Sequence, residues 1–233
     1  LAHELKNAAA RRVIAVLPYF GYSRQEKSNI PHGTGHAVVI AKLLEASGID
    51  GLITVELHNP IIQTFFSIPV HNVMVSDDIT HHIAQHINML EGACFIAPDE
   101  GAAQRVYAVA VQFGAGVIVY KKERYGANKT RVIGKVGDCV SDTAIIIDDI
   151  IDTGGTALDV CKKLKEDGFK TIYGYFVHPV LSPHAVVKLE RGLIDYVLVS
   201  NTIGLSEEKC ISKIAIFDVS SAVVNAIIQM IQK

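Results

Sequence analysis

The sequence has little of what marks a nucleic-acid-binding, membrane-spanning or secreted protein. Its 233 residues carry a formal net charge of −2, which leaves no broad basic surface for nucleic acid. Apolar residues are plentiful, but no run reaches the about 18 residues that indicate a membrane span. The four cysteines form no Cys-X-X-Cys pair, which favours free cytosolic thiols over a disulfide framework or a zinc site. We therefore expect a cytoplasmic globule that binds neither nucleic acid nor a membrane.

The beginning of the chain lacks both an initiator methionine and the layout of a signal peptide. Its first residues, LAHELKNAAARR, are typical of the middle of a helix. We therefore expect a truncated or processed chain.

Short strand patterns alternate with helical patterns along the whole sequence. The strand patterns are rich in β-branched residues, and they cover residues 13–17, 52–57, 94–97, 117–120, 144–147, 171–177 and 196–199. The helical patterns cover residues 36–47, 79–90, 101–113 and 155–167. This alternation predicts an α/β fold with mainly parallel sheets, whose ligands bind beyond the carboxyl ends of the strands. Residues 123–135 are charged and contain Gly126 and Asn128, which predicts a mobile loop that could include a hairpin.

One stretch, AIIIDDIIDTGGTALD at residues 144–159, combines an apolar strand with acids and a glycine-hydroxyl turn. The end of the strand would carry Asp148 and Asp149, and residues 152–156 would turn into a helix. Glycines let backbone N–H groups approach an anion, and a helix N-terminus favours negative charge. Acids beside a phosphate cradle suit a ligand that also carries hydroxyls or a divalent cation, such as a sugar phosphate. The alternative is an acidic turn in which Asp152 only caps the helix.

The same stretch resembles the phosphoribosyl-diphosphate-binding motif of type I phosphoribosyltransferase folds. Other stretches resemble, in order, motifs of one family with that fold, the ribose-phosphate pyrophosphokinases. They are PYFGYSRQEK (18–27), VELHNPIIQTFFSIPV (55–70), APDEG (97–101), KER (122–124), and the segments 177–182 and 201–203. The resemblance implies two related phosphoribosyltransferase-like halves. Residues 1–74 would be the remainder of a truncated N-terminal domain, and residues 75–233 would be a C-terminal domain with the ribose 5-phosphate site.

The resemblance also implies a reaction and a set of roles. The β,γ-diphosphoryl group of ATP would pass to the 1-hydroxyl of ribose 5-phosphate, giving AMP and phosphoribosyl diphosphate. The ribose 5-phosphate residues would be Asp148 and Asp149 for the hydroxyls, and Asp152, Thr153, Gly154, Gly155 and Thr156 for the phosphate. The diphosphate residues would be Asp99, Glu100, Gly101 and Ala102. Mg²⁺ would bind His58 and Asp99, ATP would meet Arg24, Gln25 and Glu26, and the catalytic residues would be Lys122 and Arg124. A homo-oligomer is also implied.

The sequence departs from the family pattern at several places. No stretch matches the family's N-terminal segment with its FSDGE-like loop, so we expect that segment to be lacking. Glu26 replaces an aspartate, Glu100 adds a negative charge to the diphosphate loop, and Ala102 replaces a glycine. Residues 28–39 replace a basic segment. Two alternatives stay open: a phosphoribosyltransferase that consumes phosphoribosyl diphosphate, and a non-catalytic subunit that associates with active synthetases.

Overall fold

A computed structural model of the protein describes residues 1–28, 33–86, 92–126 and 129–232, without the side chains of residues 86, 124–126 and 129–131. Its strands are β1 (Ile14–Val16), β2 (Gly51–Val55), β3 (Val70–Val73), β4 (Cys94–Ala97), β5 (Val117–Gly126), β6 (Lys129–Val136), β7 (Thr143–Ile151), β8 (Thr171–Pro179), β9 (Tyr196–Ser200) and β10 (Ile214–Phe217). Its α-helices are α1 (Ala2–Asn7), α2 (His36–Ala46), α3 (Ser76–His86), α4 (Ala103–Ala110), α5 (Gly155–Glu166), α6 (Ala185–Arg191) and α7 (Ser220–Ile231).

The chain divides into two compact units. The first contains Leu1–Val75 and Val219–Lys233, and the second contains Ser76–Asp218. The division predicted from sequence placed all of residues 75–233 in the second half, whereas α7 packs in the first unit. A Cβ atom added at Gly51 of β2 would lie only 3.0 Å from Sδ of Met230 in α7. The relatedness of the two units stays a prediction.

The first unit contains a three-stranded parallel sheet in the order β1-β2-β3. The central strand, β2, has three hydrophobic residues among its five positions and is buried along its whole length. Its core includes Leu52 and Leu57, which pack with Phe20 and with Ile62 from the 3₁₀ turn Pro60–Phe65. This core fixes the chain that leaves the carboxyl ends of β1 and β2.

The second unit contains a seven-stranded sheet in the order β10-β9-β8-β7-β4-β5-β6. All neighbouring strands are parallel except the antiparallel pair β5 and β6. One face packs against α5 and α6, whose Val160, Leu164 and Leu189 join the core. Burial on both faces explains why β4 and the first part of β7 are nearly continuous apolar runs. The predicted α/β class with mainly parallel sheets is confirmed.

The segment predicted as a mobile loop that could include a hairpin, residues 123–135, belongs to the β5–β6 hairpin. Tyr120 pairs with Lys135, and the pairing continues to Gly126 and Lys129, with bulges along β5. The strands were not recognised in the sequence because their residues are mostly charged. A two-stranded ribbon at a sheet edge needs few buried apolar side chains. Residues 127 and 128 lie outside the described residues.

The expectation of free thiols is wrong for two of the four cysteines. Cys94, the first residue of β4, and Cys139, which follows β6, form a disulfide with their Cα atoms 6.0 Å apart. Cys161 and Cys210 are free. The pair is separated by 45 positions in the sequence, so only the tertiary fold brings it together. Gly116 leaves room for it, since a Cβ atom there would lie 2.9 Å from Sγ of Cys139.

The α-helices are short. Both α5 and α7 have 12 residues, well below the about 20 residues that cross a bilayer. Within the described ranges, no helix combines the length and the apolar character of a membrane span.

Candidate active site

Asp148 and Asp149 lie in the last part of β7. The strand is longer than predicted, because Ile150 and Ile151 still pair with His178 and Pro179 of β8. Asp149 is buried, and its backbone N–H donates to Oδ1 of Asp148 at 2.9 Å. The paired acids are therefore held by the sheet itself and not by a loose loop.

The electrostatic environment of Asp148 disfavours its negative charge. Burial is the main cause that raises its pKa well above the usual range, and the charges of Asp149 and Asp99 act in the same direction. The guanidinium of Arg105, on α4, acts in the opposite direction. Such a carboxyl group gains from a ligand that supplies hydroxyl donors or a cation.

The diphosphate loop predicted from sequence follows β4. Asp99 extends from the strand end, and its Oδ1 accepts from the backbone N–H of Ala102 at 3.3 Å, which caps the 3₁₀ turn Glu100–Ala102. Ala102 is buried, whereas Glu100 and Gly101 are exposed. The loop therefore presents the carboxylate of Glu100 to solvent, close to the position where diphosphate is expected.

Lys122 extends from β5 toward this loop. Its ammonium nitrogen lies 3.6 Å from Oδ2 of Asp99, and its side chain is only 10% exposed. This nitrogen is buried and makes no hydrogen bond. A buried ammonium with one loose ionic contact is ready to bind an anion. Arg124 lies two residues further on the same strand, and its side chain lies outside the described residues.

The predicted phosphate cradle is an uncapped helix N-terminus. Gly154 has a φ of 73° and precedes α5, whose first turn has no acidic residue and no side-chain cap. The hydroxyl of Thr153 reaches only 3.5 Å from the N–H of Gly155. The donors of the first turn therefore remain available to an anion. Asp152 and Thr156 flank this turn.

The ATP residues predicted from sequence lie in the first unit, beyond the end of β1. Arg24 and Gln25 belong to the 3₁₀ turn Ser23–Gln25, and Glu26 follows it. The turn is entered through Tyr22 with a φ of 66°. Residues 29–32, within the divergent segment 28–39, lie outside the described residues.

His58 follows β2 in the same unit, after a strained backbone. Glu56 has a φ of 40°, a conformation that costs about 1–3 kcal/mol in a residue with a side chain. Its buried carboxylate accepts from the N–H of Val75 at 3.0 Å, and Oδ1 of Asn72 accepts from the N–H of Leu57 at 2.9 Å. These bonds fix the direction in which the chain presents His58.

The described side chains can supply only part of the coordination of a Mg²⁺ ion. Among the described side chains, no group of three or more His, Cys, Asp and Glu residues converges on a common point. Asp99 offers carboxylate oxygens, and its charge adds to burial, the main cause, in raising the pKa of Asp148. Mg²⁺ commonly binds through one or two carboxylates together with substrate phosphates and water. The residues fit such a shared site and not a complete protein cage.

Two residues that influence the carboxylates of this site were not indicated by the sequence. Arg105 lies on α4 and acts on Asp148, and the hydroxyl of Ser182 bonds to the carboxylate of Asp152. Ser182 lies in a recognised motif, but nothing in a single sequence links it to Asp152. Pairs of this kind become visible only when strands that are far apart in the chain lie together.

Comparison with known proteins gives matches over nearly the whole chain. The family model described as the N-terminal domain of ribose phosphate pyrophosphokinase matches residues 1–48. The model described as a phosphoribosyl synthetase-associated domain matches residues 123–233. The ribose-phosphate pyrophosphokinase of Bacillus caldolyticus is 36% identical over 223 residues, which are 96% of this chain and 70% of that protein.

Further relatives agree with these matches. The ribose-phosphate pyrophosphokinase of Haemophilus influenzae is 38% identical over 229 residues, or 96% of this chain and 71% of that protein. The crystal structure of phosphoribosylpyrophosphate synthetase from Mycobacterium smegmatis has a TM-score of 0.85 at 29% identity, and the match covers 99% of this chain and 75% of that one. The likeness therefore extends to the whole described fold.

The comparison corrects one expectation from sequence. The family's N-terminal segment, including its FSDGE-like loop, was predicted to be lacking, and residues 1–74 were assigned to the remainder of the N-terminal domain. Residues 1–48 nevertheless match the N-terminal domain of the family, and they form α1, β1 and α2. With 36% identity across 96% of its length, this chain belongs to the ribose-phosphate pyrophosphokinase family.

Proposed function

We propose that this chain transfers the β,γ-diphosphoryl group of ATP to the 1-hydroxyl of ribose 5-phosphate, giving phosphoribosyl diphosphate and AMP. The observation that carries the proposal is the approach of Lys122, on β5, to Asp99, in the loop after β4, with 3.6 Å between Nζ and Oδ2. Asp148 lies on β7, the other neighbour of β4, and the negative charge of Asp99 contributes to its raised pKa. A cation and several carboxylates at one sheet edge suit a ligand that carries both phosphates and hydroxyls.

Ribose 5-phosphate would bind along the end of β7. The carboxylates of Asp148 and Asp149 would accept hydrogen bonds from the ribose hydroxyls, which would stabilise their charged forms. The 5-phosphate would occupy the cradle at residues 152–156, because its first-turn N–H groups are uncapped. The sugar would then direct its 1-hydroxyl toward the loop of Asp99.

The transferred diphosphoryl group would bind between the loop at residues 99–102 and the cations Lys122 and Arg124 of the β5–β6 hairpin. The 1-hydroxyl oxygen forms a bond to the β-phosphorus of ATP, and the bond from this phosphorus to the oxygen of the α-phosphate breaks. AMP leaves with that oxygen, and the hydroxyl proton is released. Lys122 and Arg124 would neutralise the charge that develops on the transferring group and on AMP. Positioning and electrostatics of this kind supply most of the catalysis in phosphoryl transfer.

His58 and Asp99 would hold Mg²⁺ together with phosphate oxygens of the substrates. Bound there, the ion would offset the negative charge of the triphosphate. The extra charge of Glu100 makes such an offset more important in this chain than in a loop without it.

The first unit would contribute ATP contacts through Arg24, Gln25 and Glu26. We also propose a homo-oligomer that works in the cytoplasm, where ATP is supplied. The cytoplasmic assignment and the disulfide of Cys94 and Cys139 are in tension, since cytosolic thiols are normally kept reduced.

The test is an assay of the purified chain with ribose 5-phosphate, ATP and Mg²⁺. We expect AMP and phosphoribosyl diphosphate in equal amounts, and no product when a chelator removes the metal. Consumption of phosphoribosyl diphosphate with a nucleobase, without any synthesis, would instead identify a phosphoribosyltransferase. No turnover in either direction, but binding to an active synthetase, would identify a non-catalytic subunit.

A further inference from the structure

The phosphate cradle begins with a residue that ought to repel its ligand. Asp152 carries a carboxylate, and the proposed ligand of the cradle is the 5-phosphate of ribose. The N–H groups of the helix start attract a phosphate, but a carboxylate next to them would oppose it. The arrangement is favourable only if this carboxylate is bonded elsewhere.

The structure shows a partner for that carboxylate. The hydroxyl of Ser182, in the turn between β8 and α6, donates to Oδ1 of Asp152. The backbone of the same turn also pairs with the cradle: the N–H of Ser182 donates to the carbonyl of Asp152 at 3.2 Å, and the N–H of Leu181 donates to the carbonyl of Ile151 at 3.1 Å. The turn and the start of the cradle are therefore bonded through both backbone and side chain.

The turn that supplies this bond is strained. Leu181 has a φ of 46° and His184 a φ of 69°, and each such residue costs about 1–3 kcal/mol. The strain persists because the turn is held from several sides. The turn is bonded to the cradle, and it is also bonded to Lys209, whose Nζ donates to the carbonyl of Val180 at 3.1 Å. Strained backbone of this kind is concentrated where a side chain has to be presented in one direction.

We propose that Ser182 is a positioning residue for the ribose 5-phosphate site, and that the carboxylate of Asp152 serves as its acceptor and does not contact the phosphate. The Ser182 hydroxyl turns this carboxylate toward the β8–α6 turn and fixes the backbone at the start of the cradle. The N–H groups of Gly155 and Thr156 then face the 5-phosphate. This inference rests on the proposed function, which supplies the ligand.

Variants of Ser182 and Asp152 should differ in their affinity for ribose 5-phosphate according to whether they keep the hydrogen bond between the two side chains. Ser182→Ala removes the donor and should weaken ribose 5-phosphate binding about tenfold, as expected for a hydrogen bond to a charged group. Ser182→Thr keeps a hydroxyl and should restore most of the affinity. Asp152→Asn keeps an acceptor oxygen for Ser182 and should weaken binding less than Asp152→Ala, which should lose about as much as Ser182→Ala. The double variant with alanine at both positions should be no weaker than either single one.

The measurement is calorimetric titration of the full chain with ribose 5-phosphate, followed by steady-state kinetics. The variants that weaken binding should raise KM for ribose 5-phosphate and leave kcat nearly unchanged. The matched control is Ser141→Ala, which removes a serine acceptor at the opposite end of β7, where Oγ accepts from the N–H of Thr143 at 3.0 Å. The control should bind ribose 5-phosphate as wild type does.

Wild-type affinity in Ser182→Ala, with its fold intact by circular dichroism, would overturn the inference. Equal losses in Asp152→Asn and Asp152→Ala would overturn it too, because the charge itself would then act on the ligand. A wild-type chain that binds no ribose 5-phosphate would overturn the proposed function first, and the inference with it.

Discussion

The ammonium nitrogen of Lys122 lies 3.6 Å from Oδ2 of Asp99 and makes no hydrogen bond, although it is buried. Lys122 lies on β5, and Asp99 lies in the loop that follows β4, the parallel neighbour of β5. A buried cation held at this distance retains much of its capacity to bind an anion, because a good ion pair would be shorter and hydrogen-bonded. In the proposed reaction, we therefore expect the transferred diphosphoryl group to bind beside this pair.

Removal of this cation should affect turnover more than substrate binding. We expect Lys122→Ala to lower kcat by about a hundredfold, a typical cost of removing one group that stabilises transition-state charge. Lys122→Arg should recover part of the loss. Lys121→Ala is the matched control, since its side chain is exposed, and it should retain wild-type kcat. Full activity in Lys122→Ala would contradict the assigned role.

The ionised carboxylate of Asp148 should lower the free energy of unfolding at neutral pH, although the proposed reaction uses it to bind ribose. Its pKa is raised in the folded protein, so its ionisation costs stability as the pH rises above the unfolded value of about 4. Asp148→Asn keeps an acceptor for the N–H of Asp149 and should increase the free energy of unfolding at neutral pH. The gain should disappear below about pH 4, where both states of the wild type are protonated.

Urea denaturation at several pH values measures this effect. Asp159→Asn, an exposed position on α5, is the control and should change little at any pH. An Asp148→Asn variant that is less stable than wild type at neutral pH would show that the charged carboxylate is favourable in the fold.

The departure at Glu100 should reduce affinity for the triphosphate. Glu100→Gln removes an exposed negative charge beside the diphosphate loop and should lower KM for ATP about two- to fivefold, a modest change because exposed charges are screened. The effect should shrink at high salt. Glu190→Gln, at an exposed position on α6, provides the comparison. An increase of KM in Glu100→Gln would mean that this carboxylate assists binding, for example through the metal.

The disulfide between Cys94 and Cys139 should stabilise the fold measurably. It closes a loop with a sequence separation of 45, for which the chain-entropy model gives about 4 kcal/mol as an upper value. Reduction, or the Cys139→Ser variant, should therefore lower the free energy of unfolding, whereas Cys210→Ser should not, because Cys210 is exposed and free. Mass spectrometry without reductant checks the bond itself. Four titratable thiols in the unfolded, unreduced chain would restore the prediction from sequence.

Much of the fold could be predicted from local sequence, and the reasons are physical. The buried strands β4 and β7 are continuous apolar runs, and Gly154 marks the turn into α5 by its left-handed φ. The β5–β6 hairpin was harder, because its edge strand β6 carries little buried apolar surface. The ends of β7 were misjudged, since Asp148 and Asp149 look like the end of a strand although β8 continues to pair with it.

The relations that organise the site could not be predicted in this way. Lys122 approaches Asp99, and Cys94 bonds to Cys139, only because distant segments become neighbours in the sheet. The bond from Ser182 to Asp152 likewise joins residues 30 positions apart. Sequence could name Lys122, Asp99 and Asp152 as candidates, but the direction of each side chain required the fold.

The most direct test of the central claim follows the phosphorus atoms of ATP through one reaction. Phosphorus NMR of the purified chain with ribose 5-phosphate, Mg²⁺ and ATP labelled at the β-phosphate should show the label in phosphoribosyl diphosphate, with unlabelled AMP as the other product. The Lys122→Ala variant should show this transfer only slowly. Label that remains in ADP, or that appears as free phosphate without phosphoribosyl diphosphate, would contradict diphosphoryl transfer by this chain.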